Sequence, residues 1–342
     1  MPPSTPPVNL QAWACSVVGK TGGTLETVAG DASNRRYFRL RVAGASYIAV
    51  HAPPATEKNA EFLAVRHHLE RGGIRVPALL GADLDQGFLL LGDLGDRLLL
   101  PALAPATVDG WYRKGCSLLL QFAALGDMPA DWPRYDSALL GEELGRFPEW
   151  FAGRLLGHPL GEQGLRCWQA LCEELLNSAL EQPRVLVHRD FHSRNLMILA
   201  DGELGVIDFQ DAVVGPITYD LVSLLRDCYV RWPAGQVENW AREYHGLLRQ
   251  EGWLAGVDAA QFLRWFDLMG LQRHLKVLGT FARLYLRDGK SAYLDDLPLV
   301  IAYVEEILRK YRGDWPAAAA FADWFEAELG PLIRRQPWSA VQ

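Results

Sequence analysis

Between Val185 and Asp220 the sequence sets a histidine, two aspartates and an asparagine at spacings that chemistry can use. An apolar run, Val185-Leu186-Val187, ends at His188; Asp190 follows two residues later and Asn195 five residues beyond it. Further along, Gly205-Val206-Ile207 leads into Asp208-Phe209-Gln210-Asp211. A carboxylate held where a strand ends can accept a hydrogen bond from a hydroxyl group and take its proton as the oxygen attacks. An amide oxygen and a second carboxylate are hard donors of the kind that hold Mg²⁺ beside phosphate oxygens. Taken singly, Asp190 reads as a turn residue, Asn195 as a strand-start cap and His188 as a satisfied core histidine. Together they make the H-x-D-x-x-x-x-N spacing of a phosphoryl-transfer loop, with Asp190, Asn195 and Asp208 as its catalytic set.

Such a set needs elements that bring it to one place. The Asp201-Gly202 turn between two apolar runs predicts a hairpin of 196–199 with 205–207, which returns Asp208 to the end where Asn195 lies. The stretch from Gly215 to Leu221 reads as a loop opening an apolar helix, from which Asp220 can anchor the catalytic loop through its backbone or His188. Upstream, 25–28, 37–42, 47–50, 78–83 and 87–91 carry β-branched and aromatic residues between turn signals, with a helix at 59–71. After Gly95 the periodicity is mainly helical, over 111–125, 141–156, 164–181, 219–228, 237–251, 259–286, 297–311 and 321–329. These elements predict an α+β protein with a β-rich N-terminal lobe, residues 1–92, and a larger helical lobe, residues 93–342.

The segment His188-Arg189-Asp190-Phe191-His192-Ser193-Arg194-Asn195, with Ile207-Asp208-Phe209-Gln210-Asp211 and Gly215-Pro216-Ile217-Thr218-Tyr219-Asp220, resembles the aminoglycoside phosphotransferase/choline kinase family. Inside that family the chain looks closest to bacterial anomeric N-acetylmuramate/N-acetylglucosamine kinases. That likeness is carried by Gly30–Arg39, His51–Pro54, Gly87–Gly95, Phe147–Phe151 and Gln272–Gly279. The resemblance implies a two-lobed protein-kinase-like fold, Asp190 as base, and Asn195 and Asp208 as ligands of Mg²⁺. It implies ATP between the lobes, near Ser33, Asn34, Arg35, Arg36 and Ala49, with the adenine around Leu91, Asp93 and Leu94. The implied reaction phosphorylates the anomeric hydroxyl of a small amino sugar released in peptidoglycan recycling. An aminoglycoside or choline acceptor, and a nucleotide-binding pseudokinase, are the other readings.

One departure matters. Protein kinases carry a lysine on the third strand that meets the ATP phosphates; here Ile48-Ala49-Val50 leads to His51. Arg35, Arg36 or Lys58 is expected to replace it, with Arg36 or its neighbour preferred and Glu61 a conceivable partner. For the acceptor, the loop offers His192 and Arg194, the segment from Phe147 offers Glu149 and Trp150, and the helix at 259–286 offers Arg273 for a substrate carboxylate.

Composition removes other classes. Net charge is −7 over 342 residues, without a basic run to track a phosphate backbone, so nucleic acid is not an expected partner. The five cysteines lack C-x-x-C spacing, which excludes a disulfide framework or zinc site. No apolar run reaches membrane-spanning length, and the N-terminal Met-Pro-Pro has neither a basic nor an apolar leader segment. A cytoplasmic enzyme with no membrane or obligate protein partner is expected.

Overall fold

The computed structural model describes residues 5–28, 34–126 and 132–339. The chain forms two compact units: Met1–Pro101 with Arg194–Asp211, and Ala102–Ser193 with Ala212–Gln342.

The first unit opens with helix α1 (Leu10–Val17), then strands β1 (Thr24–Thr27), β2 (Arg36–Val42) and β3 (Ala45–His51), helix α2 (Asn59–Arg71), and strands β4 (Leu79–Asp83) and β5 (Phe88–Gly92). All neighbours in the sheet, ordered β1-β2-β3-β5-β4, are antiparallel. Phe38, Leu40 and Val42 alternate along β2 and are buried with Ala49, Phe88 and Leu90 beneath Leu10, Ala14 and Cys15 of α1, the period-2 signature of a sheet covered on one face. Val42 pairs with Ala45, which leaves Ala43 and Gly44 as a two-residue turn with φ of 50° and 78°. Glycine carries this backbone at little cost, and alanine pays for it.

In the second unit come helices α3 (Val108–Ala124), α4 (Ser137–Arg146) and α5 (Glu162–Leu180), then strand β6 (Arg184–Val187). The next strands, β7 (Leu196–Ile198) and β8 (Leu204–Val206), form the expected hairpin and belong to the first unit. Backbone bonds tie them there: Ile198 N to Arg97 O (2.7 Å), Leu99 N to Leu196 O (2.8 Å) and Val206 N to Arg75 O (2.8 Å). The chain then returns to the second unit as strand β9 (Val213–Pro216), helices α6 (Tyr219–Leu225), α7 (Ala234–Gln250), α8 (Ala259–Asp288), α9 (Leu297–Tyr311) and α10 (Pro316–Trp324).

Two segments depart from their sequence reading. Val213–Pro216, of which Gly215 and Pro216 were expected to open a loop, pairs antiparallel with β6. Its partner lies far away in sequence, and local pattern carries no record of such a pairing. The single helix expected over 141–156 ends as an α-helix at Arg146 and continues as a π-helical stretch, Phe147–Leu155. Pro148 lacks the N–H an α-helical register needs, and Leu156 N instead reaches Phe151 O, five residues back, at 3.0 Å.

Helix α8 is the axis of the second unit. Asp258 caps its start by accepting from Gln261 N, and Gly289, φ 70°, ends it. Gly279 lets α4 approach closely: a Cβ there would lie 2.3 Å from the backbone C and O of Arg146. That approach brings side chains of α4 against those of α8.

Candidate active site

In the second unit, β6 ends at Val187 and hands its backbone to a loop pinned at both ends by buried carboxylates. Asp220, on the first turn of α6, accepts from His188 N at 2.6 Å and from Arg189 N at 3.0 Å. Asp227 accepts from Ser193 N at 2.9 Å and Ser193 Oγ at 2.5 Å. Arg189 takes φ 76°, a left-handed backbone that costs energy outside glycine and recurs where a loop must turn sharply to aim a side chain. Phe191 is fully buried, packed edge-on to Phe122 and His188. Asp190 and His192, on either side of it, are half-buried. His188 Nδ1 lies 3.3 Å from Asp190 N as its acceptor. Burial pushes the Asp220 carboxyl up to about 6, against the pull of His188 and its two backbone donors.

Beside this loop lies a buried polar network that joins α4, the loop, α6 and α8. Glu143 is fully buried and meets two cations, Arg189 Nη2 at 2.5 Å and Lys276 Nζ at 3.1 Å. Tyr135 donates to Glu143, and its hydroxyl lies 2.9 Å from that of Tyr219, which accepts from Lys276 at 3.0 Å. Burial would raise the Glu143 carboxyl, but Lys276 and Arg189 outweigh it and hold it at about 2. Arg273, also on α8, is 2 % exposed and reaches Cys228 Sγ at 3.3 Å. The fields of these groups converge on Asp190. Burial favours its neutral form, yet Lys276, His192, Arg273 and Arg189 together hold it well below the usual carboxylate range.

The first unit holds the other part of the set. Ile207 N donates to Asn195 O at 3.1 Å, so Asn195 and Asp208 sit side by side at the open end of the β7–β8 hairpin. Asp208 has φ 63° and accepts from Gln210 Nε2 at 2.8 Å. Phe209 stacks on Phe62 of α2 at 5.0 Å, and the Arg35 guanidinium lies 4.9 Å from the Phe62 ring centre. Glu57 grips this corner, 3.2 Å from Arg35 Nε and accepting from Asn34 N at 3.1 Å. Tyr37 registers both neighbours: burial first and then Asp208 push its hydroxyl up to about 12, while Arg35 pulls it down.

Asn195 and Asp208 supply an amide oxygen and a carboxylate, a donor pair that suits Mg²⁺ completed by water and phosphate oxygens. Among the described residues no group of three His, Cys, Asp or Glu forms a metal cage.

Of the adjacent arginines offered as the phosphate cation, Arg36 is engaged elsewhere. Arg36 gives Nη2 to His51 Nδ1 at 2.6 Å and Nη1 to Thr5 O at 3.1 Å, and burial with Arg36 lowers the His51 pKa. Arg35 is the cation held near Asp208. Its carboxylate partner is Glu57 rather than Glu61. Of the other nucleotide candidates, Ser33 lies outside the described residues. Ala49 is buried in β3 opposite Leu90, and Leu91 is buried in β5. Asp93 accepts from Arg39 Nε at 2.7 Å and from Gly95 N at 2.9 Å, which fixes the turn. Leu94 packs near Gly205 of the hairpin. Arg194 is exposed. Glu149 and Trp150 form a cluster with Arg154, whose guanidinium pairs with Glu149 at 3.0 Å and lies 4.1 Å from the Trp150 ring centre.

The match with known proteins follows the same parts. Residues 24–256 match the model of the phosphotransferase enzyme family. The chain belongs to that family. This phosphotransferase is 44% identical over 311 residues to an N-acetylmuramate/N-acetylglucosamine kinase of Pseudomonas putida, covering 91% of this chain and 88% of that one. It is 43% identical over 310 residues to the protein of the same name in Pseudomonas aeruginosa, with 91% and 88% covered. Among solved structures it resembles the gentamicin complex of APH(2'')-IIa, with TM-score 0.61, 14% identity and coverage of 93% and 99%. A choline/ethanolamine kinase family protein from Mesorhizobium loti gives TM-score 0.61 at 14% identity, covering 92% and 98%. These two likenesses establish the protein-kinase-like fold and nothing finer. No helix of the described residues is long and apolar enough to cross a membrane, and the cysteines are all unpaired.

Sequence reasoning missed Glu143 and Lys276. Lys276 had a signal: it stands three residues after Arg273 in an otherwise apolar helical run, where two cations on one buried face require a carboxylate. Glu143 had none, because one glutamate in a helical pattern reads as surface.

Proposed function

We propose that this phosphotransferase is an ATP- and Mg²⁺-dependent kinase of the anomeric hydroxyl of N-acetylmuramic acid and N-acetylglucosamine, acting in the cytoplasm in peptidoglycan recycling. The observation that carries the acceptor class is charge. Around Asp190 stand Lys276, Arg273 and Arg189, and of these Lys276 and Arg189 share the single carboxylate of Glu143. That leaves Arg273 as a cation bonded to no carboxylate, a group that suits a neutral or acidic sugar better than a polycationic aminoglycoside or a choline. The names of the relatives agree with that choice.

In this reading Asp190 receives the proton of the anomeric hydroxyl while that oxygen bonds to the γ-phosphorus and the bond from phosphorus to the departing ADP oxygen breaks. The cations around Asp190 keep it ionised and ready to accept. Asn195 and Asp208 would hold Mg²⁺, which when bound would neutralise charge on the phosphate oxygens. Arg35, fixed by Glu57 and the Phe62 ring, contributes the cation that the third strand lacks.

The test is phosphate transfer from ATP to N-acetylmuramate, N-acetylglucosamine, glucosamine, choline and kanamycin. The expected product is an acid-labile sugar 1-phosphate, formed on the two acetylated sugars. Transfer confined to choline or kanamycin would overturn the acceptor, and no transfer to any would turn the reading toward a pseudokinase.

A further inference from the structure

Of the cations around Asp190, two are spent on protein groups. Lys276 is shared between Glu143 at 3.1 Å and the Tyr219 hydroxyl at 3.0 Å. Arg189 pairs with Glu143 at 2.5 Å and lies over the Tyr135 ring at 5.5 Å. Arg273 differs from both. It is 2 % exposed, forms no ion pair among the described residues, sets Nη1 on the Cys228 thiol at 3.3 Å, and leaves a buried Nε without a partner. A thiol is a weak acceptor, and a guanidinium cannot shed its proton to escape burial. Its charge is felt by Asp190, but among the described residues no carboxylate is bonded to it.

A second orphan lies on the same side of Asp190. His192 Nδ1 is buried without a partner, and its ring stands edge-on to Tyr229 at 5.3 Å. Arg273 touches Cys228 and His192 touches Tyr229, the neighbour of Cys228 in sequence, while Asp190 stands two residues before His192, so the three groups share one corner of the unit. Tyr229 continues into Phe281 at 6.4 Å and Phe281 into Tyr293 at 4.9 Å. A charged donor, a neutral ring nitrogen and aromatic rings beside the candidate base make a place for a polar ring bearing an anion. Buried polar atoms without partners call for a ligand or ordered water.

We propose that Arg273 is the receptor for a carboxylate carried by the acceptor sugar, and that it sets the preference for acidic over neutral amino sugars. This rests on the acceptor reading given above. N-Acetylmuramate carries such a carboxylate on its lactyl ether and N-acetylglucosamine does not, so the two sugars differ at the group Arg273 would read. With the carboxylate in place the guanidinium gains its missing counter-ion through charge-assisted hydrogen bonds.

The experiment compares kcat/KM for the two sugars in the full-length enzyme and in Arg273→Gln and Arg273→Lys. The acid-to-neutral ratio is expected to fall about 30-fold in Arg273→Gln, the worth of one charge-assisted interaction, and by less in Arg273→Lys, which keeps a charge without the fork. If Arg273→Gln does not fold, the lysine variant carries the test. An unchanged ratio, with both sugars losing rate in parallel, would overturn the proposal and give Arg273 to the transferred phosphoryl group or to the fold. Failure of the wild type to phosphorylate either sugar would overturn the acceptor reading itself, a result distinct from a changed or unchanged ratio.

Discussion

The two compact units hold their buried charges in different ways. In the first, Arg35 meets one carboxylate, Glu57, and lies against one ring, Phe62; Arg36 meets a histidine. In the second, Glu143 is divided between Arg189 and Lys276 and accepts from Tyr135, Tyr219 links Tyr135 to Lys276, and Arg273 stands nearby bonded to no carboxylate. A one-to-one pair positions a cation and leaves the local field nearly balanced. A carboxylate shared among cations leaves positive potential over, and a nearby group feels it. On the reading proposed above, that separates a cation placed for phosphate from the surroundings that keep Asp190 ionised. Desolvation alone would raise the carboxyl of Asp190, and a surplus of cations reverses the sign.

Removing the base is the strongest way to break this picture. Asp190→Asn should lower kcat by about a thousandfold, within the range for losing a general base, while ATP affinity by calorimetry stays within about threefold. Turnover near wild type would take the proton-accepting role from Asp190. Next in size is the helix contact that assembles the network. In Gly279→Ala the new methyl meets Arg146 backbone, which cannot swing aside, and unfolding free energy should fall by about 2 kcal/mol, as for an overpacked core. Gly270→Ala is the control, since its Cβ would meet Arg226 Nη1 at 3.0 Å, the movable end of a side chain. Equal losses in the two variants would mean that the α4–α8 approach carries no special burden.

Lys276→Met sharpens the comparison, because it removes the cation with the largest pull on Asp190 and leaves Arg189, Arg273 and His192 in place. The sign follows from linkage: an aspartate held low stays ionised to low pH, and losing a cation raises its pKa. The acid limb of kcat/KM, which lies below the usual carboxylate range in the wild type, should move to higher pH. The shift is read as the displacement of the pH at which kcat/KM falls to half its plateau, one pH unit for each unit of that rise. A uniform drop with no shift of the limb would make Lys276 a packing residue. Asp220 faces the same loop, and its opposing charge acts in both proteins alike.

How far the site was legible follows from what kind of contact defines each part. The hairpin and the pinned loop are local: Asp201-Gly202 forces the turn, and Asp220 was read as the loop's anchor because an acid opening an apolar helix has few other uses. The five-stranded sheet was legible too, since β2, β3 and β5 alternate or run apolar between turn residues. Glu143 meeting Lys276 is a different matter. It depends on Gly279 letting two helices approach, and helical periodicity says which face is buried without saying what faces it. The same limit hid β9, whose partner is Arg184–Val187. The choice between Arg35 and Arg36 stayed open because adjacent residues in extended chain point to opposite faces, and only the sheet shows which face each takes.

That choice between adjacent arginines supplies the mildest test. Arg35→Lys keeps a positive charge but loses the planar fork that spans Glu57 and the Lys58 carbonyl, which Nη2 reaches at 3.2 Å. The KM for ATP should rise about fivefold, a modest loss for a charge kept with poorer geometry. Arg36→Lys, whose side chain faces His51 and Thr5, should stay within about twofold of the wild type. The ratio matters more than either value. If Arg36→Lys weakens ATP and Arg35→Lys does not, the one-to-one pair with Glu57 is only a brace for α2. The first unit would then meet the phosphates through the His51 end of its sheet.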